Sequence, residues 1–368
     1  MSSDSPVVVP GFDPAQFTFS WQHLPRISTT PPIGGEIRAE PSHFVVEEIP
    51  AYEPSGAGEH LYLLIEKTGL STPELITQLA RLGVPEGDIG AAGLKDKHAV
   101  TTQWISIPKR YQDAVGDITN VPGVQVLDAS YHTNKLATGH LLGNRFTIRI
   151  TGSSPGAAVH AEAALQQLAA QGVPNFFGPQ RFGAFGRNAY DGLAVVNGIA
   201  VPGNERLQRF FVTALQSFVY NAVLASRVQA GLLGAVVAGD IAKKHDTGGE
   251  FLVTDPAADQ PRAAAGEISA TVPLHGAKVP VSGGRAGEFE QTVLSQLRLN
   301  YDWFTGRPGD RRLARVFPTE TAVHEAADGV IVQFVLPKGS FATTIVREIT
   351  GVAVDEPQVA QSGATPPR

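Results

Sequence analysis

The sequence predicts an α+β fold in which a second domain is inserted into the first. Three observations lead to this prediction. Strand and helix patterns are mixed up to residue 172, a block of different composition follows, and one more strand and helix come at 329–350. That last pair is too small to fold alone, so we expect its strand to return to the first sheet. The predicted domains are 1–172 with 319–368, and the insertion 173–318; a simple cut near residue 173 is the alternative.

Strand patterns dominate the first domain. The predicted strands are 43–49, 60–67, 100–107, 124–132 and 144–150. In the last of these, apolar residues at 146, 148 and 150 alternate with arginine or threonine, so one face should be buried and the other solvated. Thr72 followed by Pro73 predicts a helix with Thr72 as its N-cap, and an alanine-rich helix should run from Ser154 to Gly172.

The later segments are more varied. Glycine and aromatic residues cluster with two arginines at 173–188, before a long helix with a broad apolar face at about 207–230. Few long apolar runs occur at 238–287, which favours short hairpins and loops, and a further helix is predicted at about 287–300. A buried strand at 329–337 and a helix at 340–350 follow. We expect 1–20 and the tail from 355 to be loosely held.

Composition excludes several classes of protein. Hydrophobic residues make up 42% of the chain and charged residues 17%, as in soluble globular proteins. No apolar run is long enough to span a bilayer, and the N-terminus lacks the basic and apolar regions of a signal peptide. The chain has 0 cysteines and scattered histidines, so we expect no disulfide, thiolate or metal site. A cytoplasmic enzyme or binding protein fits these features, and a monomer is the default expectation.

The charge is distributed unevenly. The chain carries −6 overall, but residues 173–318 carry +3 and the flanking parts together −9. No acidic residue occurs between Asp128 and Glu162, a stretch with one lysine, two arginines and three histidines. Because a polyanion needs a local basic surface and not a basic protein, the net charge does not exclude nucleic acid.

The stretch 90–108 holds a candidate catalytic carboxylate. Asp96 lies between Lys95 and Lys97 on a glycine-rich turn that leads into a predicted strand. Two neighbouring cations favour the ionised form of an acid. By itself, however, this pattern also describes a solvated loop with a surface ion pair.

Five short strings stand out along the chain: GLKDKHAVTTQW (93–104), GNRFTI (143–148), PNFFGPQRFG (174–183), ALQSFVYNAVLASR (214–227) and LPKGSFATTIVREI (336–349). In order and spacing they resemble the motifs of the TruD family of tRNA pseudouridine synthases. The resemblance covers about residues 35–350, and the part at 228–318 matches least.

The resemblance implies a pseudouridine-synthase core, with a mixed, mainly antiparallel sheet flanked by helices, and an inserted α+β TRUD domain. It also implies conversion of uridine to pseudouridine in tRNA, at position 13 of the D-stem, without cofactor or metal. The family's aspartate falls on Asp96, the expected nucleophile, which would attack either the anomeric carbon of the ribose or C6 of the uracil. Because the target base is paired, it must be extruded into the cleft between the domains.

The family's substrate pocket falls on Phe44, Asn144 and Phe341. Asn144 has the donor and the acceptor needed to read the edge of uracil, whereas core packing is the alternative for both phenylalanines. Lys95 and Lys97 either keep Asp96 ionised or contact RNA phosphates.

Several arginines are further candidates for binding the substrate. Arg181 and Arg347 could pair with a phosphate or a carboxylate, and a salt bridge on the helix surface is the alternative for Arg347. Arg38 replaces a lysine that is frequent in the family and stays unassigned, as does His98. Four arginines between 298 and 318 could contact the tRNA backbone or form a solvated basic face; they are Arg307, Arg311, Arg312 and Arg315.

Two rival functions remain open at this point. A noncatalytic RNA-binding protein could use the same cleft, although an intact Asp96 argues against it. A carboxylate-pair hydrolase would need a second acid beside the first, and Glu86, Asp88 and Asp113 show no such motif.

Overall fold

A computed structural model describes residues 7–355, apart from the side chains of residues 114 and 115. Its strands are β1 (Phe44–Pro50), β2 (His60–Thr68), β3 (Gly90–Ala91), β4 (Val100–Pro108), β5 (Val124–His132), β6 (Leu141–Thr151), β7 (Val173–Pro174), β8 (Ile241–Lys244), β9 (Glu250–Leu252), β10 (Ile268–Leu274), β11 (Asp310–Leu313), β12 (Arg315–Val316), β13 (Thr319–Ala326) and β14 (Gly329–Pro337). Its helices are α1 (Thr72–Arg81), α2 (Val115–Ile118), α3 (Ala157–Gln171), α4 (Asn188–Val196), α5 (Glu205–Gln229), α6 (Pro256–Ala264), α7 (Gly284–Gln296) and α8 (Ala342–Thr350).

The described residues contain one large sheet of eight strands, in the order β13-β14-β6-β1-β4-β2-β5 with β3 beside β4. β1 and β4 are parallel, and the other pairings of this sheet are antiparallel. The predicted α+β class with a mixed, mainly antiparallel sheet is therefore confirmed. β14 pairs with β6 along its whole length, so the late strand returns to the first sheet. The domain boundaries at 172/173 and 318/319 stay a prediction.

The alternation predicted in β6 is confirmed. Phe146, Ile148 and Ile150 are buried in a core shared with α3 and α8. Arg145 and Arg149 lie on the other face, where each pairs with a carboxylate near β13. The core helices therefore cover the same face of β6 as the apolar residues, as the period of two requires.

The start of α1 differs by one residue from the prediction. The N-cap is Ser71, whose hydroxyl accepts a hydrogen bond from the Glu74 amide while the Glu74 carboxylate accepts one from the Ser71 amide. Thr72 is not the cap because its hydroxyl is used elsewhere. It donates to Gln103 Oε1 and accepts from the Lys95 amide, both at 2.8 Å.

The middle of the chain forms a second sheet in the order β11-β10-β8-β9, against which α5 packs. Helix α6 was not predicted, because the segment 256–264 lacks a periodic row of large apolar residues. It is started by the Asp255 side chain, which accepts from the amides of Ala257 and Ala258, and by Pro256 at the first position. None of the helices in the described part of the chain has both the length and the apolar character of a membrane span.

The N-terminal segment is not the loosely held arm that its Pro, Ser and Asp content suggested. Phe17, Phe19 and Trp21 are buried, and Phe19 stacks on Phe182 with ring centroids 4.5 Å apart. The Trp21 indole also donates to the carbonyl of Val354. Composition misled because a few well-spaced aromatic side chains bury enough apolar surface to hold an otherwise polar segment. The predictions for residues 1–6 and 356–368 lie outside the described residues.

Candidate active site

One cavity of about 160 Å³ collects side chains from four distant segments. Asp96 lies on the turn between β3 and β4, Phe44 begins β1, Asn144 is on β6, and Phe341 directly precedes α8. The register explains this meeting, because Asn144 is paired with Glu48 on one side and with Leu336 on the other. Phe44 is paired with Ile148, four residues further along β6, so the cavity extends along one face of β1 and β6.

Asp96 is held by two donors that the sequence did not assign. Arg38 donates to Asp96 Oδ2 at 3.1 Å, and Gln180 donates to the same oxygen at 3.3 Å. Arg38 also donates to Asp355 at 2.6 Å and lies 4.1 Å above the ring of Phe44. The described residues donate no hydrogen bond to Oδ1, so this oxygen is available to a substrate atom.

The two flanking lysines do not pair with Asp96, so the first of their two expected roles, keeping Asp96 ionised, is not seen in the structure. Lys95 Nζ lies 2.6 Å from Glu48 Oε2, and both side chains are almost fully buried. Lys97 Nζ lies 2.6 Å from Glu74 Oε1, and its hydrogen bond is the largest cause that lowers the pKa of Glu74 to about 2. A buried carboxylate needs a cation within reach, and Glu48 takes Lys95 for this purpose. Neither ammonium is therefore left for Asp96.

The backbone of the Asp96 turn is fixed from below. Lys67, which is 0% exposed, donates to the carbonyl of Asp96 at 3.3 Å and to that of Leu70 at 2.5 Å. Burial lowers the pKa of Lys67 to about 8, because desolvation disfavours the ammonium. Together with the bond from the Lys95 amide to Thr72, these contacts fix the turn on both sides of Asp96.

Glu48 and Lys67 were missed, although the sequence contained a signal for both. Each is the last residue of the row that faces the core from its strand: 44, 46 and 48 in β1, and 61, 63, 65 and 67 in β2. A charged residue in an otherwise apolar inward row requires a buried partner. Gln180 had no comparable signal.

The other lining residues leave polar atoms available. Asn144 Oδ1 and Ser340 Oγ are buried and have no hydrogen-bond partner in the described part of the chain. Phe44 is 2% exposed and packs edge-on against Phe146, so its alternative role in the core is at least partly realised. Phe341 is half-buried, with its ring centroid 5.8 Å from that of Phe177.

Three predicted site residues do not line the cavity: Lys97, Arg181 and Arg347. Arg347 is buried and donates to the backbone carbonyls of Trp21, Leu24 and Pro25. Its guanidinium therefore holds the N-terminal segment and also lies 3.9 Å from the buried carboxylate of Glu348, so its ion pair is internal and not on the helix surface, and the side chain is not exposed to a phosphate.

Two of the four later arginines are also internal. Arg311 is 3% exposed and binds Thr271 and Glu290, while Arg315, also 3% exposed, binds Ser269 and backbone carbonyls. Neither is available to a tRNA backbone, so the expectation is wrong for this pair. Their side chains instead join the strands and helices of the second sheet.

Comparison with known proteins gives a consistent picture. The model of the TruD family, tRNA pseudouridine synthase D, matches residues 23–198 and 200–349. A tRNA pseudouridine synthase D from Thermus thermophilus is 49% identical over 342 residues, which cover 93% of this chain and 94% of that protein. One from Anaeromyxobacter dehalogenans is 45% identical over 341 residues, covering 90% and 97%.

A solved structure shares the fold. A protein from Methanosarcina mazei, described as a candidate tRNA pseudouridine synthase D, aligns with a TM-score of 0.71 and 27% identity. The alignment covers 90% of this chain and 97% of that one. The residues matched by the family model include all of those that line the cavity.

Proposed function

The chain belongs to the TruD family of tRNA pseudouridine synthases, and on this premise we propose that it converts uridine 13 in the D-stem of tRNA to pseudouridine, with Asp96 as the nucleophile. The observation that carries this proposal is the cavity itself. It joins an acid with one unoccupied oxygen, an amide with an unpartnered acceptor and an aromatic ring, from segments that are distant in the sequence.

The reaction balances within the nucleotide. The bond from C1′ to N1 breaks, a bond from C1′ to C5 forms, and the proton lost from C5 is replaced by one gained at N1. Asp96 Oδ1 bonds either to C1′, which displaces N1 of the uracil, or to C6 of the uracil before the bond from C1′ to N1 breaks. The bond to Asp96 breaks again when or after C1′ bonds to C5, which regenerates the carboxylate. Arg38 and Gln180 hold the other oxygen, so they orient the carboxylate for this attack.

The base must leave a paired stem, at a cost of roughly a few kcal/mol. Phe341 offers a ring for stacking, an interaction worth about 1–3 kcal/mol per base. Asn144 would then read the edge of the uracil, because its buried Oδ1 has no partner in residues 7–355 and can accept from the uracil N3–H. A uracil that satisfies this acceptor removes the penalty of leaving a buried polar atom unpaired.

The test uses an unmodified tRNA transcript, with chemical mapping of pseudouridine. We expect wild type to modify position 13, Asp96→Asn to bind the transcript without turnover, and the control Asp128→Asn, at an exposed position on β5, to behave as wild type. Product from Asp96→Asn at the wild-type rate would refute the nucleophile. Product at another uridine would refute the position, and binding without product by wild type would favour the noncatalytic RNA-binding protein.

A further inference from the structure

Two arginines share one buried aromatic ring beside the cavity. The guanidinium carbon of Arg312 lies 4.3 Å from the ring centroid of Phe177, and that of Arg181 lies 5.1 Å from the same centroid. Phe177 is 3% exposed, whereas both arginines are half-buried. Two like charges are thus brought together on an apolar support.

Neither charge is neutralised by the described residues. No ion pair joins Arg181 or Arg312 to a carboxylate within residues 7–355, and the electrostatic partners of Arg181 include Arg312 but no acid. Burial lowers the pKa of both guanidiniums, and the charge of Arg312 lowers that of Arg181 further. The arrangement is therefore unfavourable for the protein alone.

Other buried arginines nearby are treated differently. Arg227 forms a two-point pair with Asp240, at 2.8 and 3.0 Å, and Arg311 lies 3.0 Å from Glu290. Arg315 has no carboxylate partner, but all three of its nitrogens donate to Ser269 or to backbone carbonyls. Arg181 has neither a carboxylate nor a backbone acceptor among the described residues, so its guanidinium is the one left to bind an external anion.

The arginine pair borders the cavity. Arg312 lies 5.4 Å from the ring centroid of Phe341, which lines the cavity, and Arg181 follows Gln180, which donates to Asp96. Arg312 is anchored by bonds to the carbonyl and side chain of Asn175, whereas Arg181 has only a long contact of 3.5 Å with Thr213.

We propose that Arg181 and Arg312 form an anion site that binds the phosphodiester groups flanking the target uridine. Guanidinium matches phosphate with two parallel hydrogen bonds, and a phosphate supplies the negative charge that the protein omits here. The site would place the strand so that the extruded base reaches Phe341 and Asn144. This inference rests on the proposed function only in taking RNA as the substrate.

The salt dependence of binding tests the site directly. Each phosphate contact contributes roughly 0.7–0.9 to the slope of log K against log salt concentration. We expect Arg181→Gln to reduce the slope for a tRNA transcript by about 0.7–0.9. Between about 50 and 200 mM salt, the factor by which the affinity of the variant falls should therefore be roughly threefold smaller than the factor for wild type. Arg181→Lys should keep the slope, because it keeps the charge.

Arg262→Gln is the matched control. It removes the same charge from a guanidinium that already pairs with Asp259 and Glu267, so its slope should equal that of wild type. A second measurement needs no variant: wild type is bound to a D-stem RNA whose two linkages beside the uridine are neutral methylphosphonates. We expect a smaller slope than with the all-phosphate RNA.

The outcomes test the phosphate site and the proposed function separately. Equal slopes for wild type and Arg181→Gln, or for the two RNAs, would overturn the phosphate site, and pseudouridine formed by wild type in the same preparation would leave the function standing. A reduced slope in a protein that makes no pseudouridine would support the phosphate site and overturn the proposed function instead.

Discussion

Replacing Glu48 with glutamine should destabilise the whole protein, because it removes the only carboxylate that the described residues place on the Lys95 ammonium. The ion pair spans 2.6 Å, and the two side chains are 5% and 1% exposed. Removing one partner of such a pair costs about 3–5 kcal/mol, since the other charge stays buried and unpaired. Against a typical total of about 5–15 kcal/mol, this is a large loss.

Urea denaturation measures the effect. With a slope of about 3 kcal/mol/M, the expected loss shifts the midpoint of unfolding by roughly 1–2 M. Lys95→Met should produce a shift of similar size, because Glu48 then lacks its cation. The double variant should lose less than the sum of the two single variants, which is the sign of a direct interaction. Asp128→Asn again serves as the control.

The same experiment separates two roles for Lys95. An RNA contact, as the sequence suggested, would leave the urea midpoint near that of wild type and lower the salt slope of tRNA binding. If Lys95→Met behaves in this way, the reasoning from the buried ion pair is refuted. If stability falls and the salt slope does not, Lys95 supports the turn that carries Asp96.

Three further predictions follow from contacts around the site. Arg347→Met should lower the free energy of unfolding, measured in urea, by about 2–4 kcal/mol, because buried carbonyls lose a charged donor. The variant should leave the salt slope of tRNA binding unchanged, and a changed slope would contradict this. Arg38→Lys should slow single-turnover pseudouridine formation by on the order of tenfold or more, since the ammonium of lysine is a point charge and cannot both hold Asp96 and stack on the ring of Phe44. An unchanged rate would show that the contact from Arg38 to Asp96 is dispensable. Burial lowers the pKa of His275 to about 4, so the unfolded chain binds a proton first as the pH falls. The free energy of unfolding should therefore be highest above about pH 6.5 and decline by up to about 3 kcal/mol as the pH approaches 4. The urea midpoint of His275→Gln should decline less than that of wild type across this range. Equal declines would exclude His275 as the source.

The sequence was sufficient for features that depend on neighbouring residues. Alternation in β6 predicted which face is buried, and a continuous apolar run predicted β14 to the residue. The long helix α5 was predicted within two residues because its apolar face recurs at helical spacing. The ordered motifs also predicted which segments meet, and the cavity joins Phe44, Asn144 and Phe341 with Asp96.

Prediction failed where one local sequence pattern is compatible with two structures. Thr72 resembles a cap, but Ser71 caps α1 and leaves the hydroxyl of Thr72 to support the turn. The segment 256–264 has too few large apolar residues to show a helical period, yet its caps and neighbours make it a helix. Polar composition at 7–20 concealed two buried aromatic residues, Phe17 and Phe19.

By itself, the sequence predicted six strands of the large sheet, most of the helices, the family and the aspartate at the centre of the candidate site. Only the tertiary structure decided which charge meets which. Lys95, adjacent to Asp96, turns to Glu48, which is 47 residues away, while Arg38, 58 residues from Asp96, reaches its carboxylate. The physical reason is that an ion pair depends on burial and on distance through space. Strand order and register fix both, and neither is encoded in the spacing of residues along the chain.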